Sequence, residues 1–182
     1  MMPSRSWIWN RIVYAILDAL RSTAGQPLSP GRSVDHALVR PATAADLPAI
    51  HAVYRASLRG EPQERNFARL ARRFPHLCCV AVAEGRCVGY ALGRVDKGLL
   101  TGQRAAFLFS IGVLASEQGR GLGRALVEYF REGARSVGLR ELNLEVETEN
   151  EAALSLYASL GLTILQAPRT GNPATAYMAA RL

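Results

Sequence analysis

Lysine is almost missing from this chain. Lys97 is the single lysine among 22 cationic side chains, and the rest are arginine. That excludes a phosphate loop of the Gly-Lys-Ser/Thr type, whose lysine must follow the glycine turn. Cysteine is scarce, with Cys78, Cys79 and Cys87 only. Neighbours on a strand point to opposite faces, so Cys78 and Cys79 do not readily pair with each other. An odd count without framework spacing fits reduced, buried thiols in a reducing, cytoplasmic compartment. His36, His51 and His76 are scattered and join no cysteine cluster, so no metal site is expected. No internal repeat is visible.

What remains is an ordinary globular composition. The chain has 182 residues, 49% of them hydrophobic and 20% charged, which suits one domain with a real core. Net charge is +7. It is uneven: Arg55, Arg59, Arg65, Arg69, Arg72 and Arg73 crowd one region against Glu61 and Glu64. Such a patch faces nucleic acid, anionic lipid or an anionic cofactor, or is simply a solvated helix face. No nucleic-acid-binding motif accompanies it, so no nucleic-acid partner is expected.

The first 35 residues stand apart from the rest, and the domain proper is expected over 36–182. Trp9, Ile12, Val13, Ile16, Leu17 and Leu20 form a stripe at spacings of three and four, opposite Asn10, Arg11, Asp18 and Arg21. This amphipathic helix is too short and too interrupted by charge to span a bilayer. No clean small-residue cleavage site follows it. It can pack on its own domain, pack on a partner or a second copy of the chain, or lie on a membrane surface with Trp7 and Trp9 at the interface. Gly25 to Ser33, rich in Pro, Gly and Ser, reads as a linker.

From His36 the pattern is regular. His36 to Arg40 reads as a strand. Thr43 with Asp46 approximates a capping box for a helix over 44–58. Gly60-Glu61-Pro62 breaks it, and a basic helix follows to Phe74. Strands over 77–83 and 86–95 join at Glu84-Gly85. The run A-F-L-F-S-I-G-V, Ala106 to Val113, is a further strand. A helix follows with Leu122, Ala125, Leu126, Tyr129, Phe130, Gly133 and Val137 at helical spacing, stopped by Gly138. Glu141 to Glu147 alternates cleanly, with Leu142, Leu144 and Val146 on one face and Asn143, Glu145 and Glu147 on the other. Asn150 caps a helix closed by Gly161, and strands over 162–166 and 174–182 end the chain. The order β-α-α-β-β-β-α-β-α-β-β predicts an α/β (α+β) domain, a mixed central sheet flanked by helices.

The chemistry gathers at a strand-to-helix junction, V-L-A-S-E-Q-G-R-G-L-G, Val113 to Gly123. Gly119, Gly121 and Gly123 leave backbone N–H groups uncovered where a helix begins. Those groups lack intrahelical partners and carry the positive end of the helix dipole, so they suit a phosphate or pyrophosphate. Arg120 and Arg124 add charge. A dinucleotide fingerprint needs Gly at position 124, where this chain has Arg. The alternative to phosphate binding is a glycine-rich helix start that holds nothing.

Gln118, Gly121 and Gly123 fill the pattern Q-x-x-G-x-G. It resembles the acetyl-CoA loop of the GNAT N-acetyltransferase superfamily. Downstream, L-N-L-E-V-E-T-E-N-E-A-A-L-S-L-Y-A-S-L-G-L, Leu142 to Leu162, resembles the second signature of that superfamily through Asn150, Ala153, Leu156, Tyr157 and Gly161. The L-E-V…N…A…L-Y version is most similar to the ribosomal-protein-alanine acetyltransferases, which acetylate protein N-termini. The resemblance covers about Val39 to Leu182, with Ala115 where the family often has proline. It implies two central strands that splay apart around the pantetheine arm of acetyl-CoA. The strand carrying Ile111, Gly112 and Val113 would pair with the pantetheine amides through Ile111 and Val113. Gln118, Gly119, Arg120, Gly121, Leu122, Gly123 and Arg124 would hold the pyrophosphate. Asn150 would touch the pantetheine arm, besides or instead of capping its helix. Glu145 matches the general base, through burial that raises its pKa or through a water relay. The other role for Glu145 is a plain surface carboxylate, and Glu147 is the substitute. Tyr157 matches the general acid that protonates sulfur, or else packs in the core.

The function implied is direct transfer of acetyl from acetyl-CoA to a primary amine, a protein or peptide N-terminus or a small amine. No cysteine is placed for an acyl-enzyme. The competing reading is a GNAT-like module that holds acyl-CoA without turnover and acts through a partner or a membrane surface.

Overall fold

The computed structural model describes residues 28–57, 64–165 and 174–182. The amphipathic N-terminal stripe, the Gly60-Glu61-Pro62 break and the loop over 166–173 lie outside the described residues. The strands are β1 Arg32–Val34, β2 Ala37–Pro41, β3 Cys78–Ala83, β4 Arg86–Lys97, β5 Arg104–Val113, β6 Glu141–Glu147, β7 Thr163–Leu165 and β8 Thr175–Arg181. The helices are α1 Leu47–Ser57, α2 Glu64–Arg73, α3 Leu122–Ser136 and α4 Glu151–Ser159. The eight strands form one sheet in the order β1-β2-β3-β4-β5-β6-β8-β7. Every neighbouring pair is antiparallel except β5 and β6. This is the mixed sheet with flanking helices that the sequence pattern predicts.

One strand departs from the expectation. β1 begins inside the stretch read as linker, runs one residue past its end at Ser33, and pairs with β2, Arg32 opposite Val39. Asp35 makes the reversal with φ of 50°, a conformation Asp tolerates better than most residues. Three residues between a Pro/Gly run and a turn are too few to show a period. The Glu84-Gly85 turn forms as expected, with φ of 49° and 74°.

Helices cover both faces of the sheet's centre. Tyr90 and Gly93 lie an odd number of residues apart on β4 and therefore face opposite ways. Tyr90 meets Phe67 of α2, ring centroids 6.1 Å apart, while Gly93 sits against Phe130 of α3. α3 buries Leu122, Ala125, Leu126, Tyr129 and Phe130, the stripe its spacing predicts. α2 buries Phe67 and Leu70 and leaves Arg69 and Arg72 exposed, so this part of the arginine patch is a helix face. Asp46 binds both Nη atoms of Arg40 at 2.7 and 2.8 Å and accepts the Thr43 N–H at 2.8 Å. These bonds, Arg40 foremost, pull its carboxyl down to about 2 and fix the entry to α1. The three cysteines are free. Burial pushes the Cys78 thiol up to about 12 and Cys87 to about 11, and moves Cys79 in the same direction. Thiols held protonated in this way are inert, as a direct-transfer reading requires.

Candidate active site

Strands β5 and β6 run together for only three pairs, Ala106–Leu142, Phe107–Asn143 and Leu108–Leu144. β5 continues to Val113 and β6 to Glu147 without further pairing. The parting coincides with a bulge. Leu92 of β4 pairs with Ser110 and Gly93 with Leu108, so Phe109 is the extra residue. A bulge bends and twists its strand, here away from β6. The Leu114 N–H donates to the Val88 carbonyl on the β4 side at 2.9 Å. Alternation then turns the backbone N–H and C=O of Val113 and Ile111 away from β4, toward the gap.

β5 ends in the glycine junction. Gly119 and Gly121 adopt φ of 76° and 80°, and nothing lies within 4 Å of where a Cβ would stand on either. Left-handed glycines aim successive N–H groups into one concavity. Gly121 is the N-cap of α3 and no side chain caps that helix. The first backbone bond inside it is Ala125 N–H to Gly121 C=O, 3.0 Å. The N–H groups of Leu122, Gly123 and Arg124 thus have no intrahelical partner. Gly123 serves packing instead. A Cβ there would stand 3.3 Å from Leu156 Cδ2, so its smallness lets α3 approach α4.

A cleft of about 510 Å³ opens on the sheet face that carries Glu145. Glu145 and Glu147 of β6 form one wall, and Thr175 and Tyr177 of β8 lie beside them. Thr175 Oγ1 donates to Glu145 Oε1 at 2.7 Å. Arg94, Asp96 and Lys97 of β4 form the opposite wall, with Phe107 and Phe109 of β5 between. The Arg94 guanidinium lies 4.7 Å from the Phe107 ring centroid and 5.7 Å from that of Phe109. β5 links these features: it parts from β6 beside the carboxylate-bearing cleft and ends at the bare helix N-terminus.

The model of the acetyltransferase (GNAT) family matches residues 46–162. The chain belongs to the GNAT acetyltransferase family. A mycothiol acetyltransferase of Amycolatopsis mediterranei is 37% identical over 87 residues, 46% of this chain and 29% of that protein. The [ribosomal protein bS18]-alanine N-acetyltransferase of Escherichia coli K12 is 41% identical over 70 residues, 38% of this chain and 47% of that protein. The chain thus matches less than half the length of these curated relatives. The crystal structure of the ribosomal-protein-S18-alanine N-acetyltransferase from Escherichia coli superposes with a TM-score of 0.66. It is 28% identical, covering 80% of this chain and 93% of that one.

Within the GNAT frame, the backbone groups of Ile111 and Val113 face the unpaired side of β5, and those of Gly112 face β4, where it pairs with Tyr90. Gly112 also makes room for α1, since a Cβ there would crowd Ser57 Oγ and Tyr90. Gln118 turns its side chain back under the loop, Nε2 donating to the Val113 carbonyl at 3.0 Å. It therefore braces the loop, and one lone pair of Val113 is already engaged. Arg120 pairs with Asp35 and with Glu117, both at 3.2 Å. Arg124 Nη2 donates to Ser159 Oγ at 2.7 Å and ties α3 to the end of α4. Both arginines hold the loop in place. Asn150 caps α4, Oδ1 accepting the Ala153 N–H at 3.0 Å. That leaves its exposed NH₂ without a partner among the described residues. Glu145 is exposed in the cleft rather than buried. Tyr157 is buried on α4, and burial pushes its phenol up to about 12. Its hydroxyl makes no hydrogen bond among the described residues. Tyr157 is not part of the cleft lining that holds Glu145.

Three features escaped the sequence. His36 bridges Asp35 at 2.7 Å and Glu117 at 2.8 Å, tying the β1–β2 turn to the glycine junction across 81 residues of chain. Asn143 is fully buried between Phe107 and Ala179, and neither amide atom has a partner among the described residues. Arg94 projects into the cleft. Only the last leaves a trace in sequence, in the polar alternation R-V-D at the end of an apolar strand.

Proposed function

We propose that this GNAT domain transfers acetyl from acetyl-CoA directly to a primary amine. The acceptor is a protein or peptide N-terminus or a small amine, in keeping with the relatives named above. The observation that carries the reading is the continuity of the β5–β6 gap with the uncapped start of α3. Gap and cradle fit an extended amide-bearing arm that ends in a pyrophosphate. Acetyl-CoA supplies an activated thioester carbonyl when bound. Residues 119–124 hold its diphosphate through backbone N–H groups, and Ile111 and Val113 offer β-type bonds to the arm. Glu145, kept in place by Thr175, accepts the amine proton through a water. Tyr157 donates a hydrogen bond toward sulfur. Because burial disfavours its phenolate, the hydroxyl stabilises developing thiolate better than it gives up its proton outright. The free thiols, two of them buried, support a reducing, cytoplasmic setting. No helix among the described residues is long and apolar enough to cross a membrane. Membrane-surface contact or self-association through the N-terminal stripe is a separate part of the proposal.

The test is transfer of labelled acetyl from acetyl-CoA to a panel of amines and peptides. Glu145→Gln and Tyr157→Phe should each lower kcat by about 10²–10³-fold with acetyl-CoA affinity intact. Full activity in both variants would remove these assignments. Binding of acetyl-CoA without transfer to any acceptor would favour a non-catalytic module.

A further inference from the structure

Arg94 is the side chain in the cleft that amine chemistry does not call for. A fixed positive charge repels an ammonium and offers nothing to a thioester. Yet it is firmly held. Its plane lies against Phe107 and Phe109, and Nε donates to Asp96 Oδ2 at 3.0 Å. Asp96 is itself fixed, since its Oδ1 accepts the Lys97 N–H at 2.8 Å. The Arg94 terminal nitrogens Nη1 and Nη2 donate to no group among the described residues. A guanidinium held on its face and at its Nε edge has already lost most of its rotamer freedom. Its remaining edge is the geometry that takes a carboxylate with two parallel hydrogen bonds. Lys97, exposed on the same strand, adds a second positive charge at the rim.

The opposite wall has the opposite sign. Glu145 and Glu147 stand on β6, which β5 separates from β4. Two strand spacings put these walls on the order of 10 Å apart at the backbone, before the side chains reach inward. A molecule complementary to both walls has an amine at one end and an acidic group at the other.

We propose that Arg94 is the acceptor-recognition residue, and that the preferred acceptor carries a carboxylate close to its reacting amine. This rests on the acetyltransferase reading of the same cleft. The carboxylate comes either from the acceptor's own α-carboxyl, as in a free amino acid, or from an acidic side chain near a peptide N-terminus. Arg94 is a specificity residue and takes no part in the chemical step.

Two matched pairs distinguish the sources. Alanine against alaninamide varies the α-carboxylate. Ala-Glu-amide against Ala-Gln-amide varies the side-chain carboxylate. The expected result is that one pair shows a preference in kcat/KM of roughly tenfold or more for its carboxylate member. Arg94→Gln should bring that ratio close to one, and Arg94→Lys should keep part of it. Both variants should retain wild-type acetyl-CoA affinity and Tm, which shows that they fold. A ratio near one for both pairs in the wild type, or a preference that survives Arg94→Gln, overturns the proposal while leaving acetyl transfer standing. Calorimetry with the same four compounds on the CoA-loaded protein separates the two readings. Arg94-dependent preference in binding without any transfer keeps the anion site and sinks the transferase. Equal binding of both members of each pair sinks the anion site.

Discussion

Asn143 carries both its amide atoms into the sheet's interior without a partner among the described residues. It shares a strand face with Glu145 and Glu147, and alternation alone predicted a polar residue on that face. Alternation could not say that Phe107 and Ala179 would close over it. A buried, unpaired amide costs about 1–3 kcal/mol. Asn143→Val keeps β-propensity, removes the amide and changes volume modestly. It should raise stability by about that amount, seen as a Tm a few degrees higher in calorimetry. A fall in Tm would mean that a buried water satisfies the amide. Glu145 and Tyr157 were legible as candidates because each sits inside a signature with fixed spacing. Arg94 was not, because its meaning lies in two phenylalanines of the next strand and in which of its nitrogens stay unpaired. No spacing along β4 encodes either.

At the scale of elements, the glycine junction was readable in the sequence as a strand-to-helix turn, since left-handed positions before a helix call for glycine. The division of labour within it was not readable. Gly119 and Gly121 serve the backbone conformation, Gly123 serves the packing of α3 on α4, and Arg120 and Arg124 serve as braces. This separates two substitutions. Gly121→Ala at φ of 80° strains the backbone by about 1–2 kcal/mol and should weaken acetyl-CoA binding by a modest factor. Gly121→Glu adds a carboxylate where phosphate oxygens belong and should weaken it by about 100-fold or more, as several charge-assisted bonds are lost. Calorimetric dissociation constants for the two variants check this. A wild-type constant for Gly121→Glu would mean that the diphosphate does not lie on this loop. The splay of β5 from β6 came only from resemblance, because a bulge at Phe109 leaves no mark on an apolar run that alternates poorly.

For the molecule as a whole, the chain order of sheet and helices followed from periodicity, while the boundary of the folded unit did not. β1 was hidden in a Pro/Gly stretch, and what holds it is long-range. Arg32 reaches Glu128 at 3.5 Å and Glu132 at 3.2 Å on α3, and the Tyr129 hydroxyl donates to the Ser29 carbonyl at 2.6 Å. The Asp35–His36 turn then grips Glu117 and Arg120. The Asp35 bond raises the His36 pKa, so the charged form of this grip is complete below the ordinary histidine range and loosens as pH rises through the raised value. Residues 28–36 therefore work as a strap across α3 that ends on the glycine loop. Two truncations read this directly. Removing residues 1–27 should leave Tm and acetyl-CoA affinity unchanged. Removing 1–36 takes away β1, the Tyr129 bond and the His36 grip. It should lower Tm by several degrees and weaken acetyl-CoA binding, because the loop loses a brace while its own residues are untouched. Equal Tm and equal affinity in both truncations would show that the strap contributes nothing, and that the folded unit begins at β2.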